Sequence, residues 1–239
     1  MNFLNRFFGK DSKDSKPNGE SQMQNSAQSI NDKAPKIRKI RKSNANLNII
    51  TPNQNELQTY LNKWDAMENY RNQEHALNKL FHRTYPHNND LDEVLVKVAT
   101  LNDFYSTNIF NIFAVAKHIL SIPRIDSRLQ SGDESLVGAI AHITINGKAK
   151  YLYSFATKFC AHHNDKDFAI YDSYVEKMLW HFQTRDRFGD FVREDLRDYV
   201  AFKKALNDFR AFYALKCDLK QLDRYLWLAG KTHFARYGK

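Results

Sequence analysis

Apolar side chains recur at three- and four-residue intervals along most of the chain after Thr51. Leu57, Leu61 and Trp64 show this spacing first, and residues 76–81 repeat it before the next proline. Such spacing is typical of helices that bury one face against a core. Alternation between apolar and polar residues, which would indicate strands, is not convincing in any segment. The sequence therefore predicts an all-α fold.

Turn signals divide the later sequence into further helices. Ser131-Gly132-Asp133-Glu134 fits a capping box at the start of one of them. Thr144-Ile145-Asn146-Gly147 is predicted to be a tight connector between two helices. Together with the two helices around residues 57–64 and 76–81, the predicted total is about nine helices. The later helices are expected at residues 91–104, 109–122, 134–143, 148–162, 172–182, 193–213 and 218–228.

The first 46 residues differ in composition from the rest of the chain. They carry 10 Lys and Arg against 4 Asp and Glu, so six of the nine net positive charges lie there. We expect residues 1–46 to be a disordered basic arm, and residues 47–239 to be a single helical domain, with two helical lobes as an alternative. The arm either adds salt-dependent phosphate contacts or only keeps the chain in solution.

Cysteine, histidine and apolar content limit the class of protein. Cys160 and Cys217 leave no disulfide framework and no paired-cysteine metal motif. His162 and His163 lack the helical spacing of a zinc site. No apolar run reaches the ~18 residues of a membrane helix, and the one near the start is too short for a secretory signal. We therefore expect a cytoplasmic monomer with no membrane, metal or cofactor.

One lysine lies in an unusually aromatic segment. Lys158 follows Ser154 by one helical turn, and aromatic residues flank it in residues 151–159. Partial desolvation there would lower the pKa of the lysine and increase the fraction of neutral, nucleophilic amine. The alternative is a lysine that extends from a half-buried helix to solvent.

Asp172 is a candidate acidic partner at the start of the following helix. An aspartate at this position is usually a cap, but Ser173 and Glu176 fit a capping box of their own, so Asp172 is less needed for capping. A carboxylate at a helix N-terminus stays ionised, which suits a group that stabilises positive charge or activates a nucleophile.

The turn around Gly147 is a candidate phosphate site. If a helix starts there, its free backbone N–H groups face outward, and Lys148 and Lys150 add positive charge. An ordinary turn between helices is the alternative.

The order of these features resembles the helix-hairpin-helix DNA glycosylases, and is closest to their 8-oxoguanine glycosylase-like branches. A helix, a hairpin with Gly147 and a helix bearing Lys158 are followed by Ile170-Tyr171-Asp172 at the start of another helix. Residues 101–107 and 222–231 also look like segments of proteins with that fold. The resemblance extends over roughly residues 90–231.

The resemblance implies a base-excising enzyme that acts on DNA. Lys158 would attack C1′ of the deoxyribose, Asp172 would assist, and the modified base would be flipped into an aromatic pocket. The polar loop 105–108 would fill the space that the base leaves. Repair and restriction of modified foreign DNA are both open as settings. The DNA-binding residues are expected to be Gly147, Lys148, Lys150, Ser154, Tyr105 and Asn108.

Other interpretations remain open. The family's usual distance between lysine and aspartate falls here on Ser154, and the hairpin has one glycine instead of two. Either Lys158 takes the role one turn later, with Lys150 as reserve nucleophile, or Asp172 acts without a Schiff base. A catalytically silent DNA-binding module of the same fold is the main alternative. A helical protein-interaction domain with a basic arm is the third.

Overall fold

The computed structural model describes residues 48–234. The predicted arm at residues 1–46 therefore lies outside the described residues. Within the described range the chain is mostly helical, which confirms the predicted fold class at that level. The helices are α1 (Gln54–Asp65), α2 (Glu68–Lys79), α3 (Leu91–Tyr105), α4 (Ile112–Leu120), α5 (Ile125–Gln130), α6 (Ser135–Ala141), α7 (Tyr153–His163), α8 (Ser173–Asp186), α9 (Tyr199–Phe212) and α10 (Leu219–His233).

Two short helical segments of other types complete these elements. A π-helical turn at Leu80–Thr84 extends α2, and a 3-10 helix at Arg193–Arg197 precedes α9. The break before α9 corrects the single helix predicted at 193–213. Helix α5 was not predicted, because it is only one and a half turns long and buries just Ile125 and Leu129.

Side-chain caps set several of the helix starts. Asn53, Asp90, Asp198 and Asp218 each accept a backbone N–H from the first turn of the helix that follows. The predicted capping box before α6 is wrong. The predicted box placed the cap at Ser131. Instead, the Asp133 carboxylate accepts the backbone N–H of Ser135 at 3.0 Å.

Helix α7 lies in the middle of the packing. It contacts α3, α5, α6 and the π-helical turn, while α10 packs on α1, α8 and α9. Nine of the eleven residues of α7 are buried, including Lys158. A helix that is covered on nearly all sides has no polar face to present to solvent. Its single lysine is therefore held inside the protein.

The connector at Gly147 is a β-hairpin, which corrects the predicted helix at 148–162 and shortens the one at 134–143. Strand β1 (His142–Ile145) pairs antiparallel with β2 (Lys148–Tyr151). Asn146 and Gly147 form the turn with φ of 49° and 71°, and Asn-Gly is the preferred pair for a two-residue hairpin turn with both φ positive. The predicted phosphate cradle at a helix start is therefore wrong.

A pair of glycine substitutions tests this local structure. Gly147→Ala should lower the free energy of unfolding by about 1 kcal/mol, because alanine is strained at positive φ. Gly138→Ala, inside α6 where a Cβ meets no atom within 4 Å, should instead raise it by about 0.5–1 kcal/mol. Urea denaturation of both variants measures the difference. A destabilised Gly138→Ala or a neutral Gly147→Ala would contradict the assignment.

Candidate functional site

Lys158 is buried beside the start of α8. Its side chain is 2% exposed, so the alternative that it extends to solvent is wrong. The ammonium nitrogen Nζ donates to Ser154 Oγ at 2.6 Å, to the carbonyl of Tyr171 at 3.0 Å and to the carbonyl of Ser154 at 3.3 Å. It also lies 5.2 Å from the centre of the Tyr105 ring.

Burial lowers the pKa of Lys158 below its ordinary value, and nearby carboxylates oppose that shift. Removal from water is the larger effect, while Asp172 and Asp223 favour the charged form. The expectation of a desolvated lysine is confirmed. A lowered pKa increases the fraction of neutral amine available for attack on an electrophile.

Asp172 caps α8, contrary to the prediction that Ser173 would do so. Its Oδ1 accepts the backbone N–H of Tyr174 at 2.8 Å. Glu176 is buried and accepts from Arg193 Nε at 2.8 Å and from the Tyr171 hydroxyl, so it does not complete a capping box. The cap fixes the carboxylate of Asp172 at the same place where Lys158 contacts the backbone of Tyr171.

Lys158 and Asp172 line one cavity of about 220 Å³. The aromatic rings of Trp64, Tyr70 and Trp227 also line it and form one cluster, with ring centres between 5.2 and 5.7 Å apart. Large aromatic surfaces around a few polar groups are typical of small-molecule and nucleobase sites.

Three buried polar atoms around this cavity have no hydrogen-bond partner within residues 48–234. They are Trp64 Nε1, Asp223 Oδ1 and Arg224 Nε. A buried polar group without a partner costs roughly 1–3 kcal/mol, so such groups concentrate where a ligand is bound. These atoms belong to side chains that line the cavity, although the atoms themselves are buried.

Asp223 was missed by sequence reasoning. Burial raises its pKa to about 7, with a further contribution from the charge of Asp172, while Lys158 and Arg224 oppose the rise. A carboxyl that titrates near neutral pH is suited to giving or taking a proton. No local pattern marks Asp223, because its surroundings come from α7 and α8, far from it in sequence.

Ion pairs connect three charged side chains that line the cavity. Glu74 accepts from Arg224 Nη2 at 2.6 and 2.7 Å and pairs with Lys220 at 2.8 Å. Burial tends to raise the pKa of Glu74, but these two partners hold it below its ordinary value. The contacts join α2 to α10 and fix the direction of the Arg224 guanidinium.

A second cavity of about 480 Å³ adjoins the first. Tyr105, Lys158 and Asp172 line both, so these side chains form part of the wall between them. Ser154, which was predicted to contact DNA, lines the second cavity, where Lys177 and Arg197 also lie. The lysine and aspartate are therefore reachable from two sides.

Tyr105 is the last residue of α3, and Asn108 lies in the loop that follows. The Tyr105 hydroxyl is 2.8 Å from His162 Nε2. Burial lowers the pKa of His162 to about 3, so this ring is neutral and its Nε2 is able to accept the bond. Asn108 is exposed with φ of 58° and lines neither cavity.

The structure separates the hairpin residues from the cavities. Gly147, Lys148 and Lys150 are exposed on the hairpin, and none of them lines either cavity. Lys150 pairs with Ile143 across the strands. Its place on β2 corrects its interpretation as a reserve nucleophile.

Metal-ligand groups and membrane-spanning helices are two features that would narrow the class of protein. Residues 48–234 contain no group of three or more Cys, His, Asp or Glu side chains placed to hold a metal ion. None of the helices in that range is long and apolar enough to cross a membrane. Cys160 and Cys217 are free thiols.

Comparison with known proteins shows one relationship. The family model HI_0787_N, described as an N-terminal domain, matches residues 56–167. An "Uncharacterized protein" of Haemophilus influenzae is 51% identical over 146 residues, which are 61% of this chain and 70% of that protein. The chain belongs to the family of that Haemophilus protein. The region matched by the family model contains Lys158 and ends before Asp172. No solved structure matches the chain.

The raised pKa of Asp223 predicts a pH-dependent stability difference. Its folded pKa of about 7 lies above that of an unfolded aspartate, so its contribution is present at low pH and lost as pH rises through about 7. Asp223→Asn removes the buried charge. The melting temperature of this variant relative to wild type should therefore increase from about pH 5 to about pH 8.

The matched control is Asp103→Asn, at an exposed position on α3. Its melting temperature should follow that of wild type at every pH. Parallel curves for wild type and Asp223→Asn would show that Asp223 is not a buried titrating group.

Proposed function

We propose that this protein is a DNA glycosylase with AP lyase activity that excises a modified or damaged base from duplex DNA. One observation carries the proposal: the buried amine of Lys158 and the carboxylate of Asp172 lie on the wall between an aromatic cavity and a second, adjoining cavity. A flipped nucleotide needs that arrangement, with the base on one side of the reacting carbon and the strand on the other.

The aromatic cavity suits a base. The Trp64 and Trp227 rings line it and give it aromatic surface for a base, and Asp223 and Arg224 add polar side chains to the lining. The second cavity suits the sugar–phosphate strand, because hydroxyls and cationic groups line it. Its exposed Arg197 is available to a phosphate oxygen.

The order of elements also favours this assignment at the level of fold. Helix α6, a hairpin and α7 with Lys158 precede Asp172 at the start of α8, as in the helix-hairpin-helix glycosylases. In this chain a β-hairpin takes the place of the usual turn. We infer a divergent member of that fold, with phosphate contacts from Lys148 and Lys150 on β2 in place of a helix N-terminus.

The proposed reaction starts with a neutral Lys158 amine. Its nitrogen attacks C1′, and the bond from C1′ to the base breaks with its electron pair leaving on the base. Asp223 supplies the proton that the departing base takes up. The attacking nitrogen passes a proton to Asp172. Asp172 returns this proton to O4′ as the bond between C1′ and O4′ breaks, and the opened sugar is then joined to Lys158 as a protonated Schiff base. Water returns the free amine, or elimination breaks the strand on the 3′ side.

A second buried lysine shows what distinguishes Lys158. Lys97 is completely buried, and its Nζ also has three oxygen acceptors, at 2.6, 2.6 and 3.1 Å. Burial lowers the pKa of Lys97 to about 8. Lys97 lines neither of the two cavities, whereas Lys158 lines both. Access to a ligand, and not burial alone, supports the catalytic assignment of Lys158.

Borohydride trapping tests the nucleophile. With duplex DNA that carries an abasic site, wild type should form a covalent adduct after reduction of the Schiff base to a secondary amine. Lys158→Ala should form none, because Lys158 is the only lysine in residues 48–234 that lines both cavities. Denaturing gel electrophoresis and intact-protein mass spectrometry detect the adduct.

The control is Lys166→Ala, which removes an exposed lysine from the loop between α7 and α8 and should leave trapping unchanged. An adduct that persists in Lys158→Ala would refute the assignment. Loss of trapping in both variants would point to a general effect on DNA binding.

Asp172 allows a substitution that separates its two roles. Asparagine caps helices about as well as aspartate, so Asp172→Asn should keep the stability of wild type. Base release should nevertheless fall by about a hundredfold or more, because the charge that assists Lys158 is lost. Asp172→Ala should additionally lose about 1 kcal/mol of stability with the cap. Unchanged base release by Asp172→Asn would contradict its role.

A catalytically silent DNA-binding module is the second candidate. The observation in its favour is that the Lys158 ammonium already has three oxygen acceptors within the protein, and such acceptors favour the charged form. This function predicts salt-dependent DNA binding that is unaffected by Asp172→Asn. It also predicts no base release from any modified duplex.

A further inference from the structure

We propose that Ser154 is a positioning residue that carries the proton of Lys158 to water. Its hydroxyl takes the proton that the buried ammonium group has to lose before attack, and it releases its own proton into the second cavity. The inference rests on the proposed function for the use of the neutral amine, which that reaction needs as its nucleophile. The route itself belongs to the resting protein and needs no DNA.

The contacts of the Lys158 ammonium group single out the Ser154 hydroxyl. The shortest joins Nζ to Ser154 Oγ at 2.6 Å, and the other two lead to the carbonyl oxygens of Tyr171 and Ser154 at 3.0 and 3.3 Å. A carbonyl oxygen only accepts hydrogen bonds, whereas a hydroxyl also donates and rotates to suit its partner. Of these three oxygens, the hydroxyl is therefore the one able to take up a proton and give one up.

The carboxylates near Lys158 do not contact its ammonium group directly. Asp172 at the start of α8 and Asp223 on α10 both act on its charge, but neither forms an ion pair with it in the part of the chain that the structure describes. Tyr105 of α3 presents its ring, and the neutral ring of His162 on α7 already contacts the Tyr105 hydroxyl. A proton that leaves the resting ammonium group therefore goes first to a hydrogen-bonded oxygen.

Ser154 connects the buried amine to the second cavity. Its side chain is half-buried and lines the second cavity but not the first. The Ser154 hydroxyl donates to the carbonyl of Tyr171 at 3.2 Å, which is longer than the usual O–H···O distance of about 2.5–3.0 Å. Turning the O–H from that carbonyl to a water molecule in the cavity therefore loses only a weak contact.

The transfer is balanced with water as the only other reactant. An N–H bond of the Lys158 ammonium group breaks, its electron pair stays on Nζ, and the proton bonds to Ser154 Oγ. The original O–H bond of Ser154 breaks, and that proton goes to a water molecule in the second cavity. The new O–H points back at Nζ and donates to the lone pair of the neutral amine. The buried nitrogen thus keeps three hydrogen bonds in both charge states.

Lys97 shows what a buried lysine without such a hydroxyl looks like. Two of its three acceptors are backbone carbonyls, and the third is the side-chain oxygen of Asn88. The Asn88 amide group is fixed in this orientation, because its nitrogen donates to Asp126 Oδ1 at 2.6 Å. A neutral Lys97 would leave one acceptor facing its lone pair. Its three contacts therefore offer no hydroxyl route for a proton.

Proton exchange at lysine side chains tests the route without DNA. In protein that contains isotope-labelled lysine, nuclear magnetic resonance measures how fast the Nζ–H protons of Lys158 and Lys97 exchange with water, at a pH where both are charged. Ser154→Ala should slow the exchange of Lys158 by about tenfold, because the hydroxyl that carries the proton is lost. Ser154→Thr, which keeps a hydroxyl, should restore the wild-type rate.

Rates of borohydride trapping on the abasic duplex show the effect on the reaction. Removing an acceptor of the ammonium group favours the neutral amine, so the trapping rate of Ser154→Ala should begin to rise at a lower pH than that of wild type. Its maximal rate should nevertheless be about tenfold lower. A residue that only accepts a hydrogen bond would shift the pH profile and keep the maximum.

Lys97 is the matched control, and its exchange should be the same in wild type and both variants. Unchanged or faster exchange at Lys158 in Ser154→Ala would overturn the proton route and leave the glycosylase proposal intact. Equally slowed exchange at both lysines would also overturn it, in favour of a general effect on the core. A maximal trapping rate equal to that of wild type would overturn its role in the reaction. Slowed exchange at Lys158 alone, with no adduct from wild type, would support the route and refute the glycosylase.

Discussion

The ammonium group of Lys158 ties the middle of α7 to the backbone that leads into α8. Burying a charged amine costs several kcal/mol unless oxygen atoms replace the lost water, and Ser154 and Tyr171 supply them. The neighbouring Thr157 hydroxyl accepts the backbone N–H of Tyr171 at 3.1 Å. Helix α7 thus holds Tyr171 by both its carbonyl and its N–H. Asp172 follows directly, so the same contacts place the carboxylate.

The rest of the cavity lining depends on contacts between distant parts of the sequence. Trp64 lies in the last turn of α1, Glu74 lies on α2, and Asp223 and Arg224 lie on α10. The bonds from Arg224 to Glu74 bring these helices together. Within residues 48–234, this arrangement leaves Asp223 Oδ1 buried without a hydrogen-bond partner, which lowers the free energy of unfolding. Such a cost is typical of sites built for a ligand rather than for packing.

The parts of the fold that depend on local spacing were predictable from the sequence. Helices α1 to α4 and α8 to α10 follow from apolar periodicity and from caps such as Asn53 and Asp218. The hairpin was missed because all of β2 is exposed, so its residues show no buried face, although Asn146-Gly147 is a strong turn signal.

Within the candidate site, prediction succeeded where a residue's neighbours are close in sequence. Aromatic residues on its own helix marked Lys158 as desolvated, and the start of α8 marked Asp172. The residues near Asp223 in the sequence do not indicate its raised pKa, because that shift comes from burial in the fold and from the charge of Asp172. The capping box expected at Ser173 and Glu176 does not form, because Glu176 bonds to Arg193 and Asp172 takes the cap.

Release of a free base from DNA tests the central claim most directly. Duplexes that each carry one modified base, with 8-oxoguanine among them, are incubated with the full chain, and free bases are quantified by liquid chromatography and mass spectrometry. Wild type should release at least one modified base, and Lys158→Ala should release none. Binding of the duplexes with every base retained would contradict it.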